Sequence, residues 1–346
     1  MAFMSIARLA PSPTGSLHIG NVRTFLCAWL SARTQGANVI LRVEDLEKPA
    51  RPGVLERMLS DLAWLGLDWD DGPVWQAEQE AAFGRGQPVT IVDRGPSKPY
   101  IQSRRGTYYA SVFERLRRDG MIYPCVCTRA DWSSAQSAPH EGDREPRYPG
   151  TCRNRFASFE EAERHAAPGK APVWRFRAKD GPISFKDRVA GAVSIDVQRT
   201  VGDFVVFKTP ELPAYQLAVV ADDIAMGVTE VVRGDDLIPS TARQLLLYNA
   251  LGGTPPRYGH APLVIGSDGK RLAKRHGDAR IETLRRLGVP PEHLLGRLAR
   301  WSGMLVEGPV QARSLLSFWD WRRLPRERIV LTPEQLRDVE GDRMES

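Results

Sequence analysis

No stretch of this 346-residue chain approaches the ~18 consecutive apolar residues that a membrane-spanning helix requires. The N-terminus lacks the basic, apolar and small-residue series of a secretory leader, so a cytoplasmic protein with no membrane partner is expected. Internal repeats and long linkers are missing as well. Cysteine is sparse. Cys27 falls on the apolar side of a helical stretch and reads as a small buried hydrophobe, while Cys125, Cys127 and Cys152 cluster. In a cytoplasmic protein such a cluster points to metal before disulfide. Against these absences stands an ordinary apolar fraction of 42%, in a chain long enough for two domains and a small insert. The net charge of +6 and the pI near 9.2 lean towards a polyanionic partner, nucleic acid among them.

The most informative stretch is Arg8-Leu9-Ala10-Pro11-Ser12-Pro13-Thr14-Gly15-Ser16-Leu17-His18-Ile19-Gly20-Asn21. Met4 to Ala7 before it reads as a short buried strand, and Val22 to Arg33 after it as a helix. A strand that breaks at Pro and Gly and then enters a helix through Gly has the form of a nucleotide-binding first crossover. The helix start would offer backbone N–H groups to a phosphate, with His18 adding a side-chain donor. Gly20 would let a flat base approach the backbone without a Cβ in the way.

Downstream, Asn38 to Asp45 reads as the second parallel strand and puts Glu44 at the carboxyl edge, where open α/β sheets bind ligands. Helices are expected over 53–65 and 106–118, with an irregular excursion at 76–99 to which no chemistry attaches. A strand at Phe204–Lys208 follows, then a helix from Pro213 through Ile224 and a strand from Thr229 into Gly234-Asp235-Asp236. Next come a helix capped by Ser240 and a strand over 261–265. Residues 266–277 place Lys270, Arg271, Lys274 and Arg275 on a glycine-flanked loop, suited to neutralising charge on a triphosphate. Helices over 281–287 and 290–301 and a polar tail complete the pattern. The expected fold is α/β, a doubly wound parallel sheet with halves at 1–121 and 189–277. A segment of different composition at 122–188 splits it, and 278–346 forms a short helical appendage and tail.

Cys125-x-Cys127 sets two thiolates on a tight turn that Cys152 can join. Structural zinc takes four ligands, usually sulfur and imidazole. The fourth place is open to Tyr148, His140 or water, of which His140 is the better ligand on general chemistry. Three reduced core cysteines without a metal are the plain alternative.

Read in series, Arg8 to Gly20, Leu41-Arg42-Val43-Glu44-Asp45, Tyr215, Val232-Arg233-Gly234-Asp235-Asp236 and Arg271-Leu272-Ala273-Lys274-Arg275-His276-Gly277 closely resemble the signatures of the class I glutamyl-tRNA synthetase family. The first is similar to that family's "HIGH" motif and the last to its "KMSKS" motif. Arg271 departs from the usual first lysine, Ala273 from the serine and Asn21 from the last histidine, which leaves Lys274 as the lysine carried over. The resemblance implies a Rossmann-like catalytic domain that activates L-glutamate with ATP and Mg2+. It implies a glutamate pocket in which Arg8 and Arg233 grip carboxylates and Glu44 takes the ammonium, with Ala10, Ser12 and Tyr215 completing it. His18, Gly20 and Lys274 would face ATP, and His18 and Lys274 would be the catalytic pair.

Only 72 residues follow Lys274, fewer than the ~100–150 of a typical further domain, so no anticodon-binding domain is expected. The Cys125-x-Cys127…Tyr148-x-x-x-Cys152 pattern also resembles the zinc site of the shortened glutamyl-Q tRNA(Asp) synthetase family. That resemblance moves the fourth ligand of a single structural zinc to Tyr148. It implies a monomeric ligase that attaches glutamate to queuosine in the anticodon of tRNA(Asp). The rival readings are a truncated glutamyl-tRNA synthetase charging a tRNA 3′ end, and a non-catalytic tRNA- or amino-acid-binding relative, which the altered Arg271 and Ala273 would suit.

Overall fold

The computed structural model describes residues 5–13, 15–47, 51–76, 79, 82–83, 85–87, 89–128, 131, 147–270, 272 and 279–340. Lys274 and His140 lie outside the described residues. The chain opens with β1 (Ile6–Leu9), crosses through α1 (Ile19–Thr34) to β2 (Asn38–Leu41), and runs through α2 (Val54–Trp64) into β3 (Gly72–Trp75) and β4 (Ile91–Arg94). After α3 (Gly106–Arg118) come β5 (Ile122–Cys125), β6 (Val173–Phe176), β7 (Pro182–Asp187), β8 (Gly191–Asp196), β9 (Phe204–Thr209) and β10 (Leu212–Pro213). The second half contains α4 (Tyr215–Ala225), β11 (Glu230–Gly234), α5 (Ile238–Ala250), β12 (Arg257–Ala261) and β13 (Val264–Gly266). It closes with α6 (Ile281–Arg286), α7 (Pro291–Trp301), β14 (Ile329–Leu331) and α8 (Pro333–Glu340).

The central sheet has the order β2-β1-β11-β12-β7-β8. It is parallel from β2 to β7, and β8 is antiparallel, which corrects the expected wholly parallel sheet to a mixed one. The reason is local: only a short turn joins β7 to β8, and a parallel neighbour would need a long crossover. This pairing also crosses the boundary expected at 188, because β7 lies before it and sits in the main sheet. The order β10-β9-β6-β5 makes a separate antiparallel sheet that carries Cys125 at its edge.

Successive side chains of a strand point to opposite faces, and here the two faces differ in kind. Ala7, Leu9, Val39, Leu41, Val232 and Ala261 share one core with Val22, Leu26 and Trp29 of α1. The alternate positions, Ile40, Val231 and Tyr258, pack with Met226 and Leu245 beside α4 and α5. Arg8, Arg42, Arg233 and His260 belong by the same alternation to that second face, all of them buried.

Several expectations shift. β1 begins two residues later than Met4, so Arg8 lies on the strand itself. α1 begins at Ile19, earlier than Val22, because His18 and Asn21 form a reciprocal cap. Asn21 Oδ1 accepts from the His18 N–H at 3.4 Å and the Asn21 N–H donates to His18 Nδ1 at 3.3 Å. Part of the 76–99 excursion is regular: β4 pairs antiparallel with β3. Ser240 is not a cap. A 3-10 turn at Asp235–Leu237 runs directly into α5, whose N-cap is Leu237, and the Ser240 hydroxyl instead accepts from Gln216 at 2.9 Å. The single strand expected over 261–265 breaks at Pro262, which has no N–H for a ladder. The buried Arg23 takes the Pro262 carbonyl at 2.5 Å and that of Trp301 at 3.0 Å. Beyond the break, β13 pairs with β14, so part of the polar tail is built into the fold.

Candidate active site

The second face of the sheet is built around buried charge. Arg42, with no exposed surface, donates to Asp223 of α4 at 2.5 Å and to Glu44 at 3.0 Å. The neighbouring Asp222 accepts from Arg105 at 2.7 Å, Gln102 at 2.8 Å and Tyr109 at 2.9 Å. Charges this deep persist only when paired, and α4 supplies both carboxylates from consecutive positions in an otherwise uncharged helix. Burial raises the Glu44 carboxyl above the usual range, although Arg42 and Arg8 pull it back.

Arg8, Ala10, Thr24, Phe25, Glu44, Tyr215, Val232, Arg233 and Leu237 enclose a small cavity of about 70 Å³ at the carboxyl ends of β1 and β11. Five of the six residues expected to bind glutamate are therefore brought together; Ser12 is exposed and lies outside that lining. Arg8 donates to the Val232 carbonyl at 3.2 Å through Nη1, while its Nε is 3.9 Å from Asp223 and has no hydrogen-bond partner. Arg233 is held along one edge, by His260 Nε2 at 3.1 Å from Nε and by Thr241 Oγ1 at 2.8 Å from Nη2. Its Nη1 is buried without a partner. Two unsatisfied buried N–H groups on two cations are costly unless an anion completes them. Burial, with Glu44 nearby, raises the Tyr215 hydroxyl, which stays a neutral donor.

The start of α1 differs from an open phosphate cradle. Ile19 N–H goes to the Ala279 carbonyl at 3.0 Å and Asn21 N–H to His18, so two of the leading N–H groups are already used. The Ile281 N–H in turn reaches the Leu17 carbonyl at 2.8 Å, which anchors the far flank of the basic stretch against the His18 turn. With Nδ1 accepting a backbone proton, the His18 proton sits on Nε2. A Cβ on Gly20 would fall 3.2 Å from the His18 ring and 3.5 Å from Leu272, so the glycine seats that ring. A larger basin of about 370 Å³, lined by Lys98, Arg104, Arg105 and Tyr108, opens at the Ala225 end of α4 and holds none of the expected site residues.

The sulfurs of Cys125, Cys127 and Cys152 lie within 4.8 Å of one another. The Tyr148 hydroxyl is 3.3 Å from Cys125 Sγ and 3.8 Å from Cys127 Sγ, and Cys127 is 3.5 Å from Cys152. A tetrahedral zinc with bonds near 2.3 Å spaces its sulfurs about 3.8 Å apart, so this donor set fits the ion. Burial, then the Cys125 sulfur, pushes the Cys127 thiol up to about 12, as expected of a site that needs a cation to hold several thiolates. Arg175 lies 3.8 Å over the Tyr148 ring and donates to Cys125 Sγ at 3.2 Å.

Residues 6–314 match the family described as tRNA synthetases class I (E and Q), catalytic domain. The chain belongs to this family. A glutamyl-Q tRNA(Asp) synthetase of Symbiobacterium thermophilum is 43% identical over 98% of this chain and 99% of its own length. One from Nitratidesulfovibrio vulgaris is 46% identical over 87% of each. Among solved structures, the glutamate-tRNA synthetase of Elizabethkingia anophelis superposes with a TM-score of 0.76 at 26% identity, over 97% of this chain and 70% of that one. The chain is thus a ligase-type class I synthetase with a mixed α/β catalytic domain. Among the described residues no helix of this synthetase is long and apolar enough to cross a membrane.

Sequence reasoning missed Asp187, Arg42, Asp222, Asp223, Thr241 and His260. A signal was present for three of them: Arg42 interrupts an apolar strand, and Asp222-Asp223 interrupts a largely apolar helix. Ionisable residues inside such runs must find one another. Nothing in the spacing of Asp187 and His260, 73 positions apart, points to their pairing.

Proposed function

We propose that this synthetase activates L-glutamate with ATP and Mg2+ and transfers the glutamyl group to queuosine in the anticodon of tRNA(Asp). The observation that carries the amino-acid half is the cavity with an unpartnered N–H on each of two buried arginines, beside Glu44 and Tyr215. A ligand with two carboxylates and one ammonium matches it in number and sign. Glutamine would leave a guanidinium without its counter-charge, which is the expensive mismatch. The acceptor half is supported by similarity along nearly the whole chain to proteins named for that transfer.

The α-carboxylate oxygen of glutamate attacks the α-phosphorus of ATP, the bond to the β-phosphate oxygen breaks, and pyrophosphate leaves. A queuosine ring hydroxyl then attacks the acyl carbon and AMP departs. Arg8, Arg233 and Glu44 orient the amino acid, with Ala10 and Tyr215 in the wall and Ser12 at its exposed rim. His18, beside Gly20, meets phosphate charge, and Lys274 takes the same role by its place in the basic motif, so catalysis is chiefly positioning and charge neutralisation. Cys125, Cys127, Tyr148 and Cys152 would hold a structural zinc that ties residues 147–152 to β5. A cytoplasmic, monomeric enzyme accords with this role.

Labelled glutamate should appear on tRNA(Asp) carrying queuosine and not on the same tRNA lacking it. Equal labelling of both, or of tRNA(Glu), would overturn the acceptor and favour charging of a 3′ end. Absence of glutamate-dependent ATP–pyrophosphate exchange would favour a binding protein.

A further inference from the structure

We propose that Asp187 and His260 are positioning residues that set the glutamate specificity of Arg233 by fixing one tautomer of a buried imidazole; this rests on the reading that Arg233 takes a glutamate carboxylate. Both side chains are buried at adjoining strands, Asp187 at the end of β7 and His260 in β12. Asp187 Oδ2 lies 2.7 Å from His260 Nδ1. Its other oxygen accepts from the Val189 and Ala190 N–H groups, each at 2.9 Å, and from the His260 N–H at 3.3 Å. A carboxylate so placed can only accept, so the Nδ1 proton points at it and Nε2 carries a lone pair. That lone pair faces the Arg233 Nε–H at 3.1 Å.

The surroundings keep this state. Arg233 from β11 and Arg8 from β1 both oppose a charge on the imidazole, and Asp187 favours one; burial decides, and the His260 pKa falls below its ordinary value. Thr241 from α5 touches Nε2 at 3.1 Å, and Tyr258 of the same strand stacks on the ring. The chain of contacts thus runs Asp187, His260, Arg233, cavity. Its effect is to consume the Nε edge of the guanidinium and leave Nη1 to the ligand. Asp187 and His260 do not line the cavity and Arg233 does, so the pair acts through Arg233.

Asp187→Asn separates this role from mere packing. The amide oxygen can keep the three backbone N–H bonds, which turns the NH2 towards His260 Nδ1. Nδ1 must then accept, the proton moves to Nε2, and two donors meet at Arg233. In ATP–pyrophosphate exchange the KM for glutamate should rise roughly 10- to 100-fold while the KM for ATP is unchanged. His260→Gln offers an amide oxygen near the Nε2 position in either background. Adding Asp187→Asn to it should therefore change the glutamate KM little, as expected of two contacting residues that act on one path, while the unchanged ATP KM separates this role from a structural one. Equal effects of Asp187→Asn in the two backgrounds, or parallel rises for ATP and glutamate, would overturn the proposal. If Asp187→Asn does not fold, His260→Phe against His260→Gln asks the same question, and equal glutamate losses from both would overturn it. Arg233→Gln is the control: if it spares the glutamate KM, the pocket reading itself falls. If it is selective for glutamate and Asp187→Asn is silent, only this proposal falls.

Discussion

The two faces of one sheet are built to different ends. Under α1, Ala7, Leu9, Val39, Leu41 and Val232 form a mainly apolar face, into which Glu230 of β11 is also buried, accepting from Ser31 of α1. One residue along each strand, Arg8, Arg42, Arg233 and His260 are buried with Asp222, Asp223 and Glu44. The apolar face gains free energy from every area removed from water, and its parts are interchangeable in kind. The charged face gains little or nothing from burial and fails if one member is left alone. What that face provides is rigid placement: each guanidinium is fixed by carboxylate, carbonyl or imidazole, and Arg8 and Arg233 each keep a buried N–H without a partner beside the cavity. The period-2 alternation of β-strands lets one sheet carry a scaffold face and a charged, cavity-lining face a few ångströms apart.

Breaking either face should give a different loss. Asp223→Ala leaves Arg42 buried with Glu44 alone and should cost about 3–5 kcal/mol in denaturant unfolding; a loss below ~1 kcal/mol would mean the network is solvated. Leu9→Ala, on the other face, should cost about 2–5 kcal/mol by cavity formation yet leave the glutamate KM of the folded protein unchanged. A third comparison sets the antiparallel sheet against the central one. Metal analysis should find one zinc per chain, and Cys152→Ser should lose it and lower the Tm without altering the glutamate KM. Retained zinc in that variant would contradict the donor set. The smallest effect concerns pH. Because burial raises the Glu44 pKa, its carboxylate is lost as pH falls through a value above the ordinary ~4.3, and the ammonium partner goes with it. The kcat/KM for glutamate should therefore drop on acidification earlier than a solvated carboxylate would allow. Glu44→Gln should remove that limb of the profile.

The sequence made some of this plain and hid the rest for physical reasons. Helices at 54–64, 106–118 and 291–301 were legible because their apolar spacing is strong and glycine, proline or charge marks their ends. Arg8, Glu44, Tyr215 and Arg233 were singled out by motif resemblance, and the fold gathers all four around one cavity. Long-range pairing was not. The junction of β7 with β12 depends on a register that no local pattern encodes, and it carries Asp187 to His260. The break at Pro262 was visible as a proline but was read as part of a strand. The phosphate cradle at α1 was overestimated because residues 279–281, distant in sequence, return to take its backbone groups.

The central claim is that the charged face is the glutamate site and the apolar face is not. Equilibrium titration of glutamate into Arg233→Gln and Leu9→Ala proteins, with ATP titrated in parallel, tests it directly. Arg233→Gln should weaken glutamate by roughly 100-fold and leave ATP unchanged, as expected when one partner of a buried charge-assisted contact is lost. Leu9→Ala should bind both ligands like the parent protein. Equal loss of glutamate and ATP in Arg233→Gln, or a glutamate defect confined to Leu9→Ala, would contradict the account.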